Sequence, residues 1–268
     1  MKSYGILNLK NVESSQDLHL EEFYNLGYTV IENIIPESEI LELTLELDKI
    51  YQIQIEEIGI ENLKKINEEN LVRAPLAYSD LFIKLASRRD LTHYIDKILG
   101  KFYILHLQNG VINMPSKEHH QSSWHRDLPY QNWTSSEPLA CNIFYCLDDF
   151  NHETGGTFFL PFSHRFEYAP SIEYMENHSI QINAKAGSAV LFNSMVFHKA
   201  GYNNSEKKIR RGINNQYTKP IISQQINLPA FLQGKYSEDD YLSMLLGYDS
   251  VITESVKEYR QIRVDKRH

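Results

Sequence analysis

Cysteine is nearly absent from this chain: only Cys141 and Cys146 occur in 268 residues. Two thiols so close in one strand-like run cannot staple a framework, so the fold has to rest on a buried core. A reducing, cytoplasmic setting is expected. No apolar run is long enough to span a bilayer, and the opening MKSYGILNLKNVESSQD has no apolar signal core, so no membrane partner is expected. Basic charge is scarce as well, with 27 Lys and Arg against 35 Asp and Glu. Lys207-Lys208 and Arg210-Arg211 are short pairs, not the basic stripe that displaces counterions from phosphates, so no nucleic-acid partner is expected either. Pro-rich, Gly/Ser-rich and repeated stretches are missing, which leaves no linker. Residues 1–268 are expected to form one domain with a sizeable core.

What is present falls into three textures. Residues 19–25 are predicted as a short amphipathic helix stopped by Gly27 in a left-handed cap, followed by a β-rich run over 28–34. Pro36 opens a long helix, with Glu37 and Glu39 favouring its positive end. A further helix is predicted over 80–99, ending at Gly100. After that glycine, residues 102–113, 139–147, 157–160, 179–183, 188–192 and 209–218 are short strand-like runs punctuated by Gly, Pro, Asn and Asp. Such spacing implies an antiparallel sandwich or barrel. Residues 221 onward turn helical again. The fold class expected is mainly β with flanking helices: 1–100 mostly helical, 101–220 the β core, 221–268 a helical extension.

The informative segment is Ser123-Trp124-His125-Arg126-Asp127. Read as a strand, it projects residues two apart to the same side, with Cα atoms about 6.5–7 Å apart. His125 and Asp127 would then converge on one ion, and Trp124 would face away and pack in the core. His198, just past the apolar run Ala189-Val190-Leu191-Phe192, is the best third ligand. Two imidazoles and one carboxylate on one side of an ion suit non-haem Fe(II) that handles oxygen. Downstream, Arg210 enters a β run, where a guanidinium is costly unless it meets an anion. Its fork matches a carboxylate through two parallel bonds. A dicarboxylate could therefore chelate iron at one end and meet Arg210 at the other.

These residues, with Glu153-Thr154-Gly155-Gly156-Thr157 and Leu160-Pro161-Phe162-Ser163-His164-Arg165 between them, resemble the phytanoyl-CoA dioxygenase family. Phe23 to Val30 and Leu245-Leu246-Gly247-Tyr248 are similar to its terminal elements, so the resemblance covers nearly the whole chain. It implies a double-stranded β-helix (a jelly roll, cupin-like), with Fe(II), 2-oxoglutarate and O2. It implies His125, Asp127 and His198 as iron ligands, and Arg210 and Asn113 beside the cosubstrate; Arg211, one place off, would point the other way. The implied activity is hydroxylation of a C–H bond, releasing succinate and CO2. The aspartate at 127 argues against halogenation, because related halogenases have Gly or Ala there. Two departures stand out. Phe162 replaces the usual Gly of Pro-Gly-Ser-His, which questions that loop's shape. Gly212 stands where many such enzymes carry a serine hydroxyl.

Asn109 shares a face with Asn113 and is a candidate substrate contact. His119-His120 lie in a polar loop and are expected to be solvated or part of a lid, within a mobile covering segment over 117–133. His152 and His164 are expected to make loop hydrogen bonds. The acidic chain disfavours a polyanion such as a CoA thioester, so the substrate expected is a small polar metabolite or natural-product intermediate. Two alternatives stay open: a cupin-like metal-dependent isomerase or lyase, and a non-catalytic jelly-roll binding protein.

Overall fold

The computed structural model describes residues 12–117 and 119–265. The chain starts with α1 (Ser15–Leu26), whose N-terminus is capped by Ser14 accepting from the Asp17 N–H. Gly27, at φ 92°, closes that helix, its N–H donating to Phe23 O, and turns the chain into β1 (Tyr28–Ile31). Next come α2 (Glu37–Ile58), α3 (Ile60–Lys65), β2 (Leu71–Arg73), α4 (Asp80–Ala86) and α5 (Arg89–Leu99). The β-rich part follows with β3 (Ile104–Asn113), β4 (Ala140–Cys146), β5 (Phe158–Phe159), α6 (Ile172–His178) and β6 (Ile180–Gln181). It continues through β7 (Ala189–Asn193), β8 (His198–Lys199) and β9 (Arg210–Thr218). The helices α7 (Leu228–Phe231), α8 (Asp240–Leu246) and α9 (Val256–Asp265) complete the described chain.

Two antiparallel sheets make the jelly-roll core, one ordered β1-β7-β4-β9-β3-β2 and the other β6-β5-β8. Strand alternation gives the larger sheet two faces of different character. Cys141, Ile143 and Tyr145 of β4, Leu191 of β7 and Ile213 and Tyr217 of β9 share the outer face. They pack under Phe23, Leu43, Leu47, Phe82, Ile95 and Leu246 from the helices. Buried phenols stitch the layers: Tyr145 donates to Leu85 O at 3.0 Å and Tyr217 to Ala86 O at 2.8 Å. Gly110 lets α2 approach closely, since a Cβ there would lie 2.5 Å from Leu47 Cδ1. The inner face carries Val111, Phe144, Cys146, Val190 and Phe192, which meet Phe150 and Phe159. Both cysteines are free and buried, on opposite faces of β4.

Three expectations change. The helix expected over 80–99 is two helices, because Arg88 leaves helical geometry at ψ 115°. Its guanidinium there bridges Glu39, Asp90 and Ile34 O, a set of partners a continuous helix would not reach. The strand expected over 123–127 is reduced to an isolated bridge at His125. Residue 100 is not a structural divide: β1 and β2, from the helical N-terminal part, form the two edges of the larger sheet. The polar-looking helix α6 was not anticipated. No helix among the described residues is long and apolar enough to cross a membrane.

Candidate metal centre

His198 opens β8 and pairs across to Phe159 of β5. Its other edge holds His125 through reciprocal backbone bonds of 3.0 Å, and Asp127 N donates to Ser194 O at 3.0 Å. The 125–127 segment is therefore tied at both ends to the β7–β8 connection, which aligns its side chains without a regular strand. His125 Nδ1 lies 2.9 Å from Ser123 O and His198 Nδ1 3.0 Å from Val196 O. Each bond places the ring proton on Nδ1 and leaves the Nε2 lone pair free. Asp127 Oδ1 sits 3.8 Å from His125 Nε2 and 3.6 Å from His198 Nε2. The three donor atoms lie within 4.8 Å of one another.

Chemistry fits a metal here. His125 Nε2 is buried without a hydrogen-bond partner. His198, stacked on Phe159 and edge-on to Phe192, is held below the usual histidine pKa, first by burial and then by the neighbouring His125. The imidazole is thus neutral at physiological pH, the state that binds metal. Two nitrogens and one carboxylate oxygen form a donor set for a divalent ion such as Fe(II).

Arg210, on the inner face of β9, is 1% exposed. Its Nη2 donates to Gly155 O at 3.0 Å and its plane lies 4.4 Å over the Phe150 ring. No carboxylate pairs with it in any contact of the described residues, and its Nε is buried and unpartnered. Burial lowers its pKa to about 10, so it remains a cation at neutral pH. A narrow cavity of about 20 Å³ is lined by His125, His198 and Arg210, with Gln121, Thr157 and Asn214 beside them. Arg211 faces the other way and pairs with Asp48 of α2 and with Asp148.

Asn113 lies directly across from Arg210 in the β3–β9 ladder. Its Nδ2 donates to Gly201 O at 2.9 Å, its Oδ1 has no partner, and it is not among the residues that line the cavity. Asn109 faces Asn214 across the same ladder, and with its amide oriented to satisfy both ends its Oδ1 accepts from Arg73 Nη1 at 3.0 Å. His119 is 3% exposed, so the solvated loop expected for it is corrected. Its Nδ1 accepts from Gln121 N and caps the 120–122 turn that carries Gln121 to the cavity. The side chain of His120 lies outside the described residues. Trp124 faces away from the metal donors, half-buried against Leu160 and Met175, and donates to Glu176 Oε1. His152 is exposed, whereas His164 packs under Gly27 and meets Tyr24 O at 3.2 Å.

Both sequence departures have physical accounts. Phe162 keeps the glycine-like backbone, at φ 66°, so the loop's shape survives a residue that strains it. A Cβ on Gly212 would lie 2.5 Å from Phe144 Cε2 and 2.9 Å from Phe150 Cζ, so the aromatic rings occupy the space of a serine. Sequence reasoning missed Gln121, Thr157, Asn142 and Asn214. Only Asn214 carried a signal, as the residue four places from Arg210 on the same strand face.

A two-histidine, one-carboxylate centre beside a buried arginine inside a jelly roll defines the dioxygenase class of non-haem iron proteins. The chain belongs to the phytanoyl-CoA dioxygenase (PhyH) family, whose model matches residues 23–212. It is 30% identical over 247 residues to the uncharacterized protein Rv1501 of Mycobacterium tuberculosis, covering 88% of each chain. It is 26% identical over 223 residues to the dioxygenase olcK of Penicillium canescens, covering 67% of this chain and 72% of that one. Among solved structures, the epimerase SnoN in complex with Fe3+, alpha ketoglutarate and nogalamycin RO shares the fold. Its TM-score is 0.57 at 14% identity, over 77% of this chain and 84% of SnoN.

Proposed function

We propose that this protein is an Fe(II)- and 2-oxoglutarate-dependent dioxygenase that hydroxylates a C–H bond of a small polar metabolite or natural-product intermediate. The observation that carries the reading is Arg210: a fully buried cation, without a carboxylate partner among the described residues, facing the cavity it shares with His125 and His198. Leaving such a group unpaired costs several kcal/mol by order of magnitude, which an incoming carboxylate offsets. Membership of a dioxygenase family supports the same reading.

In this reading His125 Nε2, His198 Nε2 and Asp127 Oδ1 hold the metal, and Arg210 takes the distal carboxylate of 2-oxoglutarate. Bound Fe(II), 2-oxoglutarate and O2 supply the oxidising power, with succinate and CO2 as coproducts. Phe144, Phe159 and Phe192 line the cavity and exclude bulk water from it. Thr157 and Gln121 offer polar groups at its wall, standing in for the hydroxyl that Gly212 lacks. Arg210 is the one Lys or Arg among the described residues that line the cavity. That arrangement favours a neutral or weakly charged substrate over a CoA thioester.

The test is succinate formation from 2-oxoglutarate with Fe(II), ascorbate and a metabolite pool, followed by mass analysis of the consumed compound. A gain of one oxygen supports hydroxylation. Unchanged mass with inverted stereochemistry would replace it with epimerisation, the reaction named for SnoN. Intact metal binding without substrate-stimulated succinate would overturn the oxygenase reading and leave the isomerase, lyase or binding alternatives.

A further inference from the structure

We infer that Asn142 and Asn214 are positioning residues that clamp one oxygen of Asp127, so that this carboxylate meets its metal through Oδ1 alone. Asn142 projects from the inner face of β4 and Asn214 from that of β9. The register Phe144↔Asn214 and Asn142↔Gln216 makes them diagonal neighbours. Asn142 Nδ2 donates to Asp127 Oδ2 at 2.8 Å and to Asn214 Oδ1 at 2.9 Å. Asn214 Nδ2 approaches the same Oδ2 at 3.4 Å.

The surrounding network fixes which way the Asn142 amide points. Ser194 Oγ donates to Asn142 Oδ1 at 2.6 Å and accepts from Gln216 Nε2 at 3.2 Å. Gln216 Nε2 also lies 3.2 Å from Asp127 O, holding the backbone of the same residue. Asn142, Ser194 and Gln216 are 0% exposed, so water does not compete for these bonds. With its oxygen taken by the serine, Asn142 can only present its NH2 to the carboxylate. Both amide donors land on Oδ2, while Oδ1 faces the two imidazole nitrogens. Occupied lone pairs and a fixed plane keep Oδ2 from swinging onto the ion. One-oxygen ligation leaves the coordination positions opposite the triad open.

The inference rests on the metal reading above, and its test separates the two. Co(II) serves as the probe, titrated into the purified full-length chain and followed by visible absorption, with thermal stability measured on the metal-free protein. Asn142→Ala is expected to weaken Co(II) binding about 10- to 100-fold. It is also expected to change the intensity of the Co(II) bands as the freed carboxylate turns onto the ion. Asn214→Ala, at a half-buried position, is expected to do the same to a smaller extent, and it carries the test if Asn142→Ala does not fold. A purely structural role would lower the melting temperature and leave affinity and spectrum unchanged, and that result overturns the clamp. His198→Ala is the control: if wild type binds no more Co(II) than this variant, the metal reading itself fails and the clamp with it.

Discussion

The two faces of the larger sheet are built from the same strands yet treat charge in opposite ways. Arg211, on the outer face, meets two carboxylates, Asp48 and Asp148, and closes a contact between β9 and α2. Arg210, its neighbour on the inner face, is more deeply buried and among the described residues is held by one carbonyl and one aromatic ring. Paired charge on one side consolidates the fold; unpaired charge on the other stores a binding requirement. The same division runs along β4, where Tyr145 on the outer face satisfies its hydroxyl at Leu85 O while the inner-facing Asn142 donates to Asp127, a proposed metal ligand.

The sharpest way to break that contrast is to remove each arginine separately. Arg210→Ala is expected to raise the apparent KM for 2-oxoglutarate by roughly 10- to 150-fold, the equivalent of about 1.5–3 kcal/mol for a charge-assisted pair. Arg211→Ala is expected to leave that KM unchanged and to lower the melting temperature. Exchanged phenotypes in steady-state kinetics and thermal melts would reverse the assignment of faces. Next in size is Gly212→Ser, which forces a side chain against Phe144 and Phe150. A loss of about 1–3 kcal/mol in denaturant unfolding is expected from overpacking, together with weaker 2-oxoglutarate binding as the Phe150 ring shifts under Arg210.

Phe162→Gly probes strain rather than charge. Relief of the left-handed backbone at an exposed side chain is expected to stabilise the protein by about 1 kcal/mol. Unchanged or lower stability would mean that the ring packs usefully on its neighbours. The smallest effect concerns acid. Burial holds the pKa values of His106 and His164 below the usual 6.5 in the folded chain. As pH falls below that value the unfolded chain takes up protons first, so stability is fully present above about pH 6.5 and is lost as pH falls from there. The slope is at most about 1.4 kcal/mol per pH unit for each ring. His164→Gln should flatten that decline in melts recorded between pH 7 and 5; an unaltered slope would remove His164 from the account.

Much of this was legible in the residues. Gly27 ends α1, Pro36 precedes α2, and the alternation of β9 separates Arg210 from Arg211, because these follow from local backbone geometry and a period of two. The break at Arg88 was not legible, since its partners Glu39 and Ile34 come from some fifty residues upstream. Nor was the burial of His119, which depends on a turn that a polar sequence does not announce.

By itself, the sequence determined the inventory and the local directions: a His-X-Asp pair, a distal histidine, an inward arginine, and strands whose alternate residues share a side. Those are consequences of covalent geometry and neighbour spacing. The tertiary structure decided what each group meets. The 125–127 segment is not a strand, and it converges on His198 only because Ser194 and His198 of the β7–β8 connection hold its backbone. Asn142 and Asn214 meet Asp127 from two different strands, 72 residues apart in the chain. Hydrogen bonds and ion pairs of that kind are set by sheet register and burial, and no local pattern encodes them.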